Sequence, residues 1–171
     1  MKKIALILFL GFFALKSFAQ AGDLTIGAQG GYITYYKNAL YGLNLSYAPS
    51  DPLQLSLSSI LNPKIIRADA LNPNGQIENS LFALNLDARF LILNFDSWAV
   101  GPSVGVQYLH NKEKIMLENT YDRIGVNLGV YAKVNLTENL RLGGGWQYSS
   151  LKDSESYNMF YLSLGWAFNL R

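Results

Sequence analysis

The chain has 171 residues, half of them apolar, with one histidine and no cysteine. Absence of cysteine excludes a disulfide framework and thiolate metal ligation, and a lone histidine leaves a transition-metal centre without a ligand set. Formal net charge is +2, with 14 basic and 12 acidic side chains and no basic cluster that would serve a nucleic-acid partner.

The chain opens on Met1-Lys2-Lys3, an apolar run from Ile4 to Leu15, Lys16, and then Ser17-Phe18-Ala19 with small residues at both ends of the triplet. A basic start, an apolar core of about a dozen residues and a small-x-small exit form an export signal. The run falls short of the ~20 residues that a membrane-spanning helix needs. Residues 1–19 are therefore expected to be a cleaved signal peptide, with Gln20 opening a single mature domain over 20–171. Without Lys2, Lys3 and Lys16 the mature chain has 11 basic against 12 acidic residues, so the basic balance belongs to the leader.

After the leader, segments of about ten alternating residues recur, each closed by turn chemistry. The first covers Leu24 to about Tyr36, and Lys37-Asn38 turns it into a second, Ala39 to Ala48. Pro49-Ser50-Asp51-Pro52 breaks this before a third, Leu53 to about Ile60. A polar connection over 62–79 leads to the fourth, Ser80 to Leu93, with Phe82, Leu84, Leu86, Ala88 and Phe90 on one face and Asn85, Asp87 and Arg89 on the other. The fifth runs Trp98 to Leu109. A charged segment, 110–122, precedes the sixth, Arg123 to Val134. The seventh is Leu140 to Tyr148 and the eighth Tyr157 to Arg171.

The eighth alternates Phe160, Leu162, Leu164, Trp166, Phe168 and Leu170 with smaller or more polar residues. So apolar a strand needs a partner for its edge and a nonpolar solvent for its outer face, and a closed barrel in a bilayer provides both. Short turns at one end (49–52, 94–97, 135–139) and mostly longer connections at the other reproduce the asymmetry of transmembrane barrels. Aromatic residues gather near strand ends, as interfacial girdles require. The expectation is all-β: an eight-stranded antiparallel transmembrane β-barrel with periplasmic termini. The alternative is a soluble sandwich or lipocalin-like barrel, with the charged face wet outside.

At the C-terminus, Ser163-x-Gly165-x-x-Phe168-x-Leu170 resembles the signal by which outer-membrane barrels are recognised by the barrel-assembly machinery. Arg171 after the final hydrophobe departs from the pattern, which in many members ends on an aromatic. With the leader and the eight strands, the mature chain resembles the small outer-membrane β-barrel family related to the OmpA transmembrane domain and OmpX. Phe18-Ala19-Gln20 also resembles signal ends common in Bacteroidetes. The resemblance implies residence in a Gram-negative outer membrane, contact with its lipids, and the barrel-assembly machinery as a partner during biogenesis.

No cofactor or metal site is expected, and no catalytic one. Deacylases of this shape pair a serine with a histidine, but position 112, two residues beyond His110, is lysine. His110 reads as an exposed loop residue. Asp87, Arg89, Lys133 and Arg141 are expected inside the lumen, as an ion network plugging a barrel whose interior is only wide enough for its own side chains. Tyr131, Gln147 and Tyr161 are expected to help fill it. The competing reading is a narrow anion-favouring conduit or small-ligand site. The connections 62–79 and 110–122, with Ile65-Ile66 and Ile115-Met116-Leu117, read as ordinary loop packing; the alternatives are a contact surface for an outer-membrane protein partner or a short strand extension above the membrane. The expected role is structural or loop-mediated.

Overall fold

The computed structural model describes residues 22–35, 38–50, 52–68, 76–114, 118–152 and 156–169. The expected signal peptide, Leu170 and Arg171 lie outside them. Eight long strands follow one another: β1 (Asp23–Ile33), β2 (Asn38–Ser50), β3 (Leu53–Ala68), β4 (Gln76–Phe90), β5 (Trp98–Lys114), β6 (Glu118–Asn135), β7 (Leu140–Leu151) and β8 (Tyr157–Asn169). A two-residue ladder, Leu93–Asn94 against Val100 and Ala99, tightens the turn between β4 and β5.

Each strand pairs antiparallel with its sequence neighbours. β1 pairs with β8 and β4 with β5, so the sheet closes without a free seam. A walk around the wall from Leu24 passes Tyr47, Leu55, Ala88, Val104, Leu128, Tyr148 and Asn158. It comes back to β1 ten residues further on, at Thr34, whose N–H donates to the Asn158 carbonyl. That stagger tilts the strands by about 35–45° and fixes an eight-stranded barrel whose interior only side chains can fill.

Period-two alternation sorts side chains between lumen and exterior. Ile26, Leu43, Leu86, Val104, Val106, Ile124, Val126, Leu128, Leu162 and Leu164 all face outward and are exposed. No water-soluble domain leaves an apolar surface this continuous. It forms a belt between two aromatic levels. At the end opposite the termini, Trp146, Phe160 and Tyr32 stand side by side on β7, β8 and β1. The Trp146 indole donates to Asn158 Oδ1 at 3.1 Å. At the termini end are Phe90, Trp166 and Phe168, and Phe95 with Trp98, whose ring centroids are 4.5 Å apart.

The eight strands stand where alternation puts them, but several ends differ. β3 runs to Ala68, β4 begins at Gln76, β5 continues to Lys114 and β6 starts at Glu118. Most of the two expected connections, 62–79 and 110–122, is thus strand. These stretches carry no regular apolar alternation that would mark them as strand. Strands β3 to β6 have 15 to 18 residues, against 11 to 13 for β1, β2, β7 and β8. One half of the barrel therefore rises above the other as a four-stranded wall.

Candidate functional site

The lumen is built from the residues that alternation sends inward. Asp87 and Arg89 sit mid-barrel on β4, 5% and 2% exposed. They lie two apart on one face, and the Arg89 charge acts on the Asp87 carboxylate. Asn127 Nδ2 donates to Asp87 Oδ1 at 3.3 Å and to Asn85 Oδ1 at 3.4 Å. Arg89 stacks its guanidinium on the Tyr131 ring, 3.9 Å from the centroid, and bonds the Tyr161 hydroxyl. A planar cation on an aromatic face offsets part of the cost of taking it out of water.

Toward the end away from the termini the network turns neutral. Gln107 Nε2 donates to Asn85 Oδ1 at 2.6 Å, and the Tyr157 hydroxyl donates to Gln107 Oε1 at 2.6 Å. The Ser149 hydroxyl donates to Asn127 Oδ1 at 2.9 Å, and Gln147 Nε2 to Ser149 Oγ at 3.2 Å. On the facing wall Asn44 Nδ2 bonds Ser56 Oγ at 2.9 Å and Gln54 Nε2 bonds Ser46 Oγ at 3.0 Å. Above these layers Ile33, Leu40, Ile60, Leu81, Leu109 and Met159 form an apolar cap inside the barrel.

At the termini end Arg141 reaches across β8 to pair with the Asp23 carboxylate and donate to Thr25 Oγ1 at 3.2 Å. It can cross because Gly165 lies between them, where a Cβ would meet Thr25 Cγ2 at 2.7 Å. Gly143 serves Tyr131 in the same way, since a Cβ there would lie 2.6 Å from the Tyr131 hydroxyl and 2.7 Å from Ser163 Oγ. Lys133 and Arg141 border a cavity of about 10 Å³ with Thr25, Gln54, Tyr131 and Ser163. A second of about 10 Å³ lies by Gln29, Ile60 and Tyr161. Each has room for about one water.

All four expected lumen residues face inward, but they do not form one cluster. Asp87 and Arg89 belong to the central layer with Tyr131 and Tyr161, whereas Arg141 holds the mouth with Asp23. Sequence reading did not single out Asp23, although it shares the parity of Thr25 and Gln29. It placed Asn85 on the face of Asp87 and Arg89 but did not join it to Gln107 and Tyr157, and Tyr157, read among the strand-end aromatics, is buried in the lumen. Ser163, Gly165 and Phe168 lie on β8, the first two inward and Phe168 outward and 45% exposed.

A second constellation lies outside, on the tall wall. His110 and Asp122 are direct cross-strand partners on β5 and β6. His110 Nδ1 and Asp122 Oδ1 are 2.7 Å apart, and the Tyr108 hydroxyl donates to the same oxygen at 2.7 Å. The hydrogen bonds from His110 and then Tyr108 hold the Asp122 carboxyl below the usual carboxylate range. His110 is therefore a strand residue with a carboxylate partner, not a loop residue. Among the described residues no serine or threonine hydroxyl bonds its ring.

The β-barrel domain of outer membrane proteins matches the sequence over residues 5–168. No protein of curated function matches it. Among solved structures, the N-terminal β-barrel domain of Pseudomonas aeruginosa OprF superposes with a TM-score of 0.63 at 19% identity, covering 86% of this chain and 99% of that one. A major outer membrane protein from Thermus thermophilus gives 0.63 at 14% identity, over 87% and 100% of the two chains. Ail, the attachment invasion locus protein of Yersinia pestis, gives 0.57 at 16% identity, over 86% and 99%. At these identities the likeness is one of fold.

Proposed function

The chain belongs to the outer membrane protein β-barrel domain family, and on that premise we propose a non-enzymatic barrel with a closed lumen that acts structurally and through its extracellular wall. The barrel lies in the outer membrane of a Gram-negative cell, which makes the termini end periplasmic and the wall extracellular. The observation that carries the reading is the unequal height of the strands. The upper parts of β3 to β6 span no lipid, yet they remain paired up to Ala68 with Gln76 and Lys114 with Glu118. Ordering that much chain in water is entropically costly. A rigid scaffold that presents residues outside the cell is the usual use of such segments. The wall corresponds to the connections 62–79 and 110–122, and its partner in this reading is another outer-membrane protein.

The competing reading, a narrow channel or small-ligand barrel with a basic lumen, is disfavoured by the filled interior and by cavities of about 10 Å³. Two measurements separate them. Reconstituted in planar bilayers, the protein should show no resolvable single-channel steps. A variant whose β3–β4 and β5–β6 hairpins are trimmed to the height of β7 should still shift on SDS gels when boiled. It should lose a stoichiometric partner that the intact protein retains after gentle solubilisation. Discrete conductance, or a partner held equally by the trimmed barrel, would move the function to the lumen or the belt.

Export by residues 1–19 and assembly through Ser163, Gly165, Phe168 and Leu170 belong to the same proposal. Phe168→Ala should lower the amount of assembled, heat-modifiable barrel in the outer membrane more than Asn169→Ala does. Equal losses would remove Phe168 from the recognition pattern.

A further inference from the structure

We propose that the Ser59 carbonyl is a two-position switch in the seam between β2 and β3, and that its lumen-facing position holds the apolar cap of the plug in place. Three residues that alternation alone does not require meet there. Between Leu53 and Leu61 the outward row of β3 is leucine except at Ser59. Gly42 lies inward on β2, and Gln29, 8% exposed, lies inward on β1 directly across from it.

Their bonds describe a carbonyl tilted out of the ladder. Among the described residues the β2–β3 register runs from Tyr47 to Asn44 and resumes at Tyr41, without Leu43–Ser59 or Gly42–Ile60. On the other side of β3 the rungs Ser59–Leu84 and Ile60–Ala83 are intact, so the tilt is confined to the seam with β2. The Leu43 N–H points at β3, where the residue directly opposite would ordinarily offer its carbonyl. It bonds the Ser59 hydroxyl instead, at 3.3 Å. The Ser59 carbonyl accepts from Gln29 Nε2 at 3.2 Å, on the lumen side. Gln29 reaches it by crossing β2 over Gly42, where a Cβ would run into that carbonyl oxygen.

Both positions leave the wall satisfied, and that is what makes the carbonyl a switch. In the belt every backbone N–H needs a partner within the protein, and Leu43, 67% exposed, stands among the lipid-facing residues. With the carbonyl tilted inward, the Ser59 hydroxyl serves the Leu43 N–H. With it level, the carbonyl serves that N–H, the ladder is complete and Gln29 is released. Ile60 carries the motion inward. It follows the tilting carbonyl, is 3% exposed, and belongs to the cap with Leu40 and Met159. A cavity of about 10 Å³ beside Gln29, Ile60 and Met159 gives these side chains slack. Levelling the carbonyl therefore loosens the cap from the wall, a consequence that rests on the closed-lumen reading.

Three substitutions should level it by independent means. Gly42→Ala fills the space of the inward carbonyl, Gln29→Leu removes its donor, and Ser59→Ala leaves the Leu43 N–H to the carbonyl. The readout is the NMR coupling across the hydrogen bond between the Leu43 nitrogen and the Ser59 carbonyl carbon, in the perdeuterated barrel in lipid nanodiscs. It should be absent in the wild-type barrel and present in the variants, each still shifting on SDS gels when boiled. Amide exchange at Leu40, Ile60 and Met159 should quicken by roughly tenfold in Gln29→Leu, as local opening of the cap becomes easier. A coupling in the wild-type protein would refute the inward position. None in Gln29→Leu and Ser59→Ala, which leave Gly42 in place, would make the tilt a fixed feature of the wall. Unchanged exchange at the cap, with the coupling present, would refute the link to the plug. Single-channel steps from the wild-type protein would instead overturn the closed lumen, and the coupling result would stand apart from it.

Discussion

Replacing Asp87 by alanine should destabilise the folded barrel by about 1–3 kcal/mol, the range for leaving buried polar partners unsatisfied. The size follows from what remains. Arg89 is 2% exposed, and its Nε and Nη1 already lack hydrogen-bond partners. Without the carboxylate its charge would rest on the Tyr131 ring and the Tyr161 hydroxyl alone, and Asn127 would lose one of its acceptors. Asp87→Asn keeps a group for Asn127 to bond and should cost less than alanine, while still leaving the cation uncompensated. Urea unfolding from lipid vesicles measures both. A loss below about 1 kcal/mol for alanine would mean that Arg89 does not depend on Asp87, and the central layer would then be packing rather than an ion network.

The second large effect lies on the other side of the wall. Leu128 is outward-facing, 55% exposed, and flanked by Val104 and Tyr148 on the neighbouring strands. It lies midway between the lower aromatics around Trp98 and the upper level marked by Tyr108. Leu128→Arg should cost about 2–4 kcal/mol, the penalty for arginine on the lipid face of a barrel near the midplane. The same change at Thr120, above the belt, should cost well under 1 kcal/mol, because depth sets the penalty. Equal costs at the two positions in vesicle refolding would place the membrane elsewhere on the barrel. In detergent micelles the difference should shrink, since a micelle deforms around a charge more readily than a bilayer.

The two variants probe opposite faces of one wall, and the sequence distinguishes those faces differently. Alternation is periodic and local, so Leu86 and Asp87 are assigned to opposite sides by parity alone. What parity cannot give is height. Glu78 and Asn79 carry no apolar alternation by which a continuing ladder could be told from a loop. Among the described residues, 62–68, 76–79, 110–114 and 118–122 are strand where loops were expected, and His110 has Asp122 as its cross-strand neighbour.

The lumen shows the same division. Inward placement of Asp87, Arg89, Lys133, Arg141, Tyr131, Gln147 and Tyr161 was legible from alternation, and a narrow barrel implied that they fill it. Pairing was not, because the partners lie on strands far apart in sequence. Arg141 and Asp23 are 118 positions apart and meet only because the barrel closes β1 on β8 and Gly165 leaves the path clear.

By itself, then, the sequence determined the strand count, the two faces and the solvent of each, because period-two alternation records which side of a sheet meets lipid. Only the tertiary structure decided the stagger, the separation of the mouth from the central layer, and the unequal height of the strands. All three depend on register between strands, and register is fixed by closure of the whole sheet rather than by any one strand.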